Sequence, residues 1–207
     1  MITWIESRSG VPTFLKDDKS LGSRIDPIKE AHSWVDEAVR KVGTSETLVI
    51  LGCGTGFHCR ELMSRRARQS VIVIEKDQEI VEAALAVCQG LNRDQIVCEE
   101  DWTHLVSHWL IRNALGGRCS LLPHGPSYQF NREYFLNVEK LFLGRDLTSF
   151  LIQLQARPDM EKLFTKDDLE SLGEEPISIK TLQSLLDRSE ITSTESRIWK
   201  VLGELIA

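Results

Sequence analysis

The sequence predicts an α/β fold in which a parallel β-sheet is covered by helices on both faces. Short runs that are apolar throughout, such as Thr47–Leu51 and 70–74, alternate with helical stretches in the middle of the chain. Strands buried on both faces have such runs, whereas a strand with one face in water alternates apolar and polar residues. The chain has 207 residues, 42% of them hydrophobic, and is therefore long enough to bury a core around this sheet.

The region 1–43 is predicted to form an N-terminal hairpin and a helix that pack on the core. Apolar runs at 2–5 and 12–15 flank Ser9-Gly10, which indicates a hairpin or two short edge strands. Asp26 and Pro27 suit the N-cap and the first position of a helix. Apolar residues then recur at helical spacing.

The region 44–145 is predicted to hold the α/β domain itself. After the strand at 47–51, the pattern indicates a helix at 57–68, a strand at 70–74, a helix at 79–91, a strand at 95–98, a helix at 105–115 and a strand at 119–122. Strands and helices that alternate in this way are typical of a doubly wound, mostly parallel sheet.

The region 146–207 is predicted to be an acidic helical appendage. Helices are expected at 147–155, 165–172, 178–186 and 194–206. The net charge of the chain is −6, of which this region carries −5 and residues 1–145 carry −1. We expect this helical tail to mediate self-association or docking to a protein partner.

Composition and charge exclude several classes of function. The chain has no basic stripe for binding nucleic acid, and no apolar run approaches the 18 residues of a membrane span. Its first residues lack the basic and then apolar order of a signal peptide, so a cytoplasmic location is expected. Five cysteines without a C-x-x-C pair fit a reducing compartment and predict no metal site.

A glycine-rich loop between the first buried strand and its helix is the most informative motif. Glycines at alternate positions let a ligand lie against the backbone, next to the unpaired N–H groups of a helix N-terminus. Glu75 ends the next strand, where a carboxylate can accept hydrogen bonds from ribose hydroxyls. The predicted nucleoside or nucleotide site comprises Gly52, Cys53, Gly54, Thr55, Gly56, Glu75, Asp101 and Trp102.

Each of these features has an alternative without a ligand. The loop can be a tight strand–helix turn, and Asp101 can belong to a solvated acidic turn. Trp102 can stack on an adenine or lie beneath a neighbouring helix. A tight turn, a solvated acid and a packed indole would together leave no binding site.

Two histidines are the candidates for general-base catalysis. His58 follows the glycine loop and His124 follows the fourth strand, so both should lie near the same crevice. Their alternative role is local hydrogen bonding or contact with solvent. Trp4, Trp34 and Trp109 are predicted to complete the core.

The glycine loop resembles the cofactor loop of class I S-adenosylmethionine-dependent methyltransferases. In that family, L-G-C-G-T-G is followed by an acid that ends strand two and by another acid after strand three, a pattern matched by Gly52, Gly54, Gly56, Glu75 and Asp101. The family usually has an acid two places before the first glycine, where this chain has Ile50. The resemblance implies S-adenosylmethionine as cofactor and a small molecule or sugar as methyl acceptor.

A longer resemblance covers residues 1–145 and is to the N-terminal region of the Maf (motility-associated factor) proteins of bacteria. The matching patches are Gly10-Val11-Pro12-Thr13, residues 23–31, Phe57-His58, Ile74-Glu75-Lys76-Asp77, Pro123-His124-Gly125-Pro126-Ser127 and Arg132-Glu133-Tyr134-Phe135. Maf proteins are linked to glycosylation of flagellin with nonulosonic acids. The Maf catalytic domain should follow these patches, but the acidic tail stands in its place.

Two hypotheses follow from these resemblances. The first is a Maf-type, Rossmann-like module that binds a nucleotide or nucleotide-sugar, or simply a partner, and is accessory to flagellin or surface-glycan modification. The second is a class I methyltransferase. The first is preferred because it accounts for the hairpin, the helix start, His58 and His124 together.

Overall fold

The computed structural model describes residues 1–42, 47–144 and 146–156. The chain divides into two compact units, Met1–Val138 and Glu139–Ala207. The first unit contains an antiparallel sheet at its N-terminus and a parallel sheet. The predicted domain limits after residues 43 and 145 stay predictions.

The predicted N-terminal hairpin is confirmed, and a short third strand extends it. The antiparallel sheet has the order β1 (Ile2–Glu6), β2 (Pro12–Lys16) and β3 (Lys19–Ser20). Asp17 and Asp18 join β2 to β3 with φ angles of 49° and 62°. Positive φ at both central residues is the geometry of a two-residue hairpin turn whose twist matches that of the strands.

Helix α1 (Pro27–Lys41) begins where the sequence predicts. The Asp26 carboxylate accepts a hydrogen bond from the Lys29 N–H at 2.9 Å, and Pro27 occupies the first helical position. The first N–H groups of a helix have no acceptor within the helix. The Asp26 carboxylate supplies one, and Pro27 has no N–H group that needs one. Ala31 and Val35 lie on the buried face of the helix.

Four parallel strands form the central sheet, in the order β6 (Ile96–Cys98), β5 (Ser70–Glu75), β4 (Thr47–Leu51) and β7 (Cys119–Pro123). The chain builds outward from β4 in one direction to β5 and β6, and then crosses to β7 on the other side. The carboxyl end of β4 is therefore the switch point, where ligands bind in open α/β sheets. The arrangement is Rossmann-like and confirms the predicted α/β class.

The remaining helices are α2 (Phe57–Arg65), α3 (Gln78–Val87), α4 (Trp109–Gly116), α5 (Gly125–Phe130), α6 (Arg132–Leu143) and α7 (Leu147–Ala156), with 3₁₀ turns at Arg93–Gln95 and Trp102–Ser107. The single helix predicted over 105–115 is wrong. Asp101 caps the second 3₁₀ turn, and His108 has an extended backbone that separates this turn from α4. The helices predicted at 165–172, 178–186 and 194–206 lie outside the described residues.

The core fills both faces of the parallel sheet. Adjacent residues of β4, Val49 and Ile50, are both completely buried although their side chains point to opposite faces. Two predicted core residues are instead on the surface, because Trp4 is 56% exposed and Trp109 is 63% exposed. Within the described ranges, none of the helices has the length and apolar character to cross a membrane.

Candidate functional site

The glycine loop has the backbone geometry for which its glycines were predicted. Gly52, Gly54 and Gly56 have φ angles of 100°, 48° and 81°, which residues with a Cβ adopt only with strain. Every residue from 51 to 59 is buried. The loop at the switch point is therefore enclosed in the fold.

Atoms of the protein itself lie against the glycines. A Cβ on Gly52 would lie 2.2 Å from the Cβ of Ser127, and a Cβ on Gly54 would lie 2.7 Å from Cε1 of His124. The backbone oxygen of Leu21 is 2.8 Å from the same Gly54 position. The glycines thus allow the close approach of α5 and of an N-terminal segment, in the place where a ligand was predicted.

The Glu75 carboxylate also faces the interior. It has no exposed surface, and it accepts hydrogen bonds from the backbone N–H groups of Cys53 at 2.9 Å, Lys76 at 2.8 Å and Asp77 at 3.3 Å. Burial raises the pKa of Glu75 to about 7, and the three N–H donors oppose this shift. The carboxylate that was predicted to bind ribose is instead hydrogen-bonded to the backbone of the protein.

The two site residues predicted after β6 lie in a different environment. Asp101 is exposed and accepts hydrogen bonds from the Thr103 N–H at 2.9 Å and the Thr103 hydroxyl at 2.8 Å. These bonds hold the pKa of Asp101 below its usual value. Trp102 is half-buried and begins the 3₁₀ turn. Asp101 therefore caps a turn, and its carboxylate remains at the surface.

His58 and His124 lie together, as predicted. Their rings stack with a centroid separation of 3.8 Å and an interplanar angle of 10°, and the Trp34 ring contacts both of them edge-on. Burial lowers the pKa of His58 to about 4 and also lowers the pKa of His124. Both rings are therefore neutral at neutral pH.

A ring nitrogen of each histidine is within hydrogen-bond distance of another group of the protein. Nδ1 of His124 lies 2.8 Å from the Ser127 hydroxyl, and Nε2 of His58 lies 3.2 Å from the Gly52 carbonyl oxygen. The cavity beside them has a volume of about 10 Å³, which is room for one water at most. A substrate cannot reach either ring in this conformation.

The segment 20–23, here called the strap, closes the loop from the N-terminal side. Leu21 is completely buried, and a Cβ on Gly22 would lie 3.0 Å from the Thr55 hydroxyl. The Ser23 N–H donates a hydrogen bond to the Glu30 carboxylate at 2.6 Å, which ties the strap to α1. Sequence reasoning missed the strap because Leu21 belongs to no periodic pattern. It named Ser127 in a matched patch but did not predict its contact with Gly52.

A groove of about 620 Å³ lies at the carboxyl ends of β5 and β6, outside the closed loop. Its lining residues are mostly charged or amide-bearing: Lys16, Asp17, Lys19, Lys76, Asp77, Gln78, Glu79, Glu100, Phe130 and Asn131. Lys16 forms ion pairs with Asp77 at 2.9 Å and with Glu79 at 2.6 Å. Sequence reasoning did not predict this groove, because its lysines come from distant parts of the chain.

Comparisons with known proteins assign the chain to no family. No protein-family model matches the sequence, and no curated protein matches it. Among the described residues, no group of three or more His, Cys, Asp or Glu side chains is arranged to hold a metal ion. The geometry described above is thus the basis for any functional assignment.

Proposed function

We propose that this chain is a Rossmann-like module of the Maf type that binds a nucleotide and has no methyltransferase chemistry of its own. Its role would be accessory to the modification of flagellin or of a surface glycan. The observation that favours it over a methyltransferase is the closed glycine loop. A methyltransferase needs the glycines and the acid after strand two to hold S-adenosylmethionine, whereas here both are buried against protein atoms.

The closed loop accounts for the methyltransferase-like residues without a cofactor. Glu75 accepts the Cys53 N–H, and Gly52 admits Ser127. Beside the loop, the space left between α1 and the histidines is too small for a methyl acceptor. Residues with the spacing of a cofactor site therefore stabilise the junction between the strap, β4, β5 and α5.

The Maf-type resemblance explains features that a methyltransferase assignment leaves aside. Val11 and Pro12 belong to the hairpin, Asp26 caps α1, and His58 stacks on His124. Of these residues, His58 and His124 lie against the closed loop. We therefore assign the nucleotide to the open part of the carboxyl edge of the sheet.

Isothermal titration calorimetry of the full chain tests this proposal. We expect UDP or CMP to bind with a dissociation constant in the micromolar range, and S-adenosylmethionine and S-adenosylhomocysteine not to bind. Micromolar binding of S-adenosylhomocysteine that is lost in Glu75→Gln, with the variant shown to be folded by circular dichroism, would establish the methyltransferase instead. Failure of every nucleotide to bind would refute a nucleotide-binding module.

A further inference from the structure

We infer that the groove at the carboxyl ends of β5 and β6 is the nucleotide site, and that it takes a nucleoside diphosphate whose phosphates contact Lys19 and Lys76. This inference rests on the proposed function and names its site and ligand class. The groove lies at the carboxyl edge of the sheet, at the strands next to the switch point at β4. Its volume of about 620 Å³ is within the range of small-molecule sites.

Two of the lysines of the groove are not neutralised by ion pairs, in a lining that has three lysines and four carboxylates. Lys16 is 6% exposed and is neutralised by Asp77 and Glu79. Among the described residues, the ion pairs of the groove are made by Lys16 and not by Lys19 or Lys76, although the charge of Lys19 contributes to lowering the pKa of nearby Asp17. These two ammonium groups are therefore available to a ligand, and lysine is a common partner of phosphate oxygens.

Two aromatic rings hold the free ammonium groups in place. The Lys19 ammonium lies 5.5 Å from the centroid of the Phe130 ring, and the Lys76 ammonium lies 6.0 Å from that of Tyr134. Cation–π contacts at this distance restrict a flexible side chain without neutralising its charge. Both lysines are thus positioned at the groove before a ligand arrives.

The other lining groups suit the nucleoside. Phe130 is a half-buried wall of the groove and supplies apolar surface beside Lys19 for a base. Glu100 supplies an exposed carboxylate for ribose hydroxyls, and Asn131 supplies an amide for the edge of a base.

The test is calorimetric titration of UDP and ADP into the full chain and into the double variant Lys19→Gln/Lys76→Gln. We expect the double variant to bind both nucleotides at least tenfold more weakly, and uridine to bind the unmodified chain at least tenfold more weakly than UDP. The matched control is Lys29→Gln/Lys140→Gln, which removes two exposed lysines that do not line the groove. It should bind UDP as the unmodified chain does.

The outcomes distinguish failure of the groove assignment from failure of nucleotide binding. If the unmodified chain binds UDP and the Lys19/Lys76 variant binds it equally well, the groove is not the site, while nucleotide binding stands. If both double variants lose affinity alike, the interaction depends on net charge and the groove assignment is wrong. If neither UDP nor ADP binds the unmodified chain, this inference fails. The proposed function then fails as well if CMP does not bind, and it stands if CMP binds.

Discussion

The Glu75 carboxylate accepts a hydrogen bond from the Cys53 N–H at 2.9 Å, and both residues have no exposed surface. This bond joins the end of β5 to the glycine loop that follows the neighbouring strand β4. An acid at this position has the spacing of a ribose-binding residue, yet here it satisfies a buried backbone donor. The pairing makes the loop part of the core.

Glu75→Ala should lower the free energy of unfolding by roughly 3 kcal/mol or more, because three backbone N–H groups lose their acceptor in a buried environment. Urea denaturation measures this change. The matched control is Glu82→Ala on the exposed face of α3, which should change stability by at most about 0.5 kcal/mol. A Glu75→Ala protein as stable as the unmodified chain would show that water reaches the loop.

Gly52→Ala should destabilise the protein by about 3 kcal/mol, because it strains a left-handed residue and its Cβ collides with that of Ser127. Adding Ser127→Gly should recover part of the loss, since the collision disappears while the strain remains. Gly116→Ala is the control, because a Cβ there has no neighbour within 4 Å. Equal stabilities for Gly52→Ala with and without Ser127→Gly would contradict the packing described for the loop.

The buried histidines should make the protein less stable in acid. The pKa of folded His58 is about 4 against an ordinary 6.5, and that of His124 is also lowered. The unfolded chain thus binds more protons than the folded chain between these values, and the free energy of unfolding falls as the pH decreases through this window.

Glu75 has the opposite effect on the pH dependence of stability, because its stabilising contribution is lost as the pH rises from 4.5 through about 7.

His58→Gln should remove roughly 3 kcal/mol of this pH dependence between pH 6.5 and 4. Denaturation series at several pH values measure the slope. Replacement of the exposed His104 by Gln should leave the slope unchanged. An unaltered slope in His58→Gln would mean that the ring is accessible to water in the folded protein.

Tyr134→Phe should stabilise the protein or leave its stability unchanged. The Tyr134 hydroxyl is buried and has no hydrogen-bond partner among the described residues, so its removal eliminates a desolvated polar group and leaves the ring packing intact. Thermal denaturation should show an unchanged or higher midpoint. A loss above about 1 kcal/mol would reveal a partner for the hydroxyl.

Local patterns predicted much of the fold. The apolar run of β4, the Asp26-Pro27 start of α1 and the Ser9-Gly10 turn each carry their own signal, and the structure confirms them. The exposure of Trp109 had no such signal, because it depends on which face of α4 meets the sheet. The helix predicted over 105–115 failed because the apolar spacing continues across His108, whose extended backbone interrupts it.

The sequence predicted that four of the candidate residues lie close together, but it did not predict that the loop is closed or that Asp101 and Trp102 lie elsewhere. The sequence placed Gly52, Glu75, His58 and His124 near one another, because the ends of parallel strands meet at one edge of the sheet. Closure depends on Leu21, whose contact with Gly54 spans 33 positions of the chain. Neither spacing nor composition predicts whether such a contact or a ligand fills the space.

Hydrogen exchange at the Cys53 N–H is the most direct test of the closed glycine loop. The bond to buried Glu75 predicts that this amide belongs to the slowest-exchanging class in the chain, and that millimolar S-adenosylhomocysteine leaves its exchange rate unchanged. NMR spectroscopy of the labelled chain resolves the individual amide. Rapid exchange that slows only when S-adenosylhomocysteine is added would contradict the account and identify the loop as an open cofactor site.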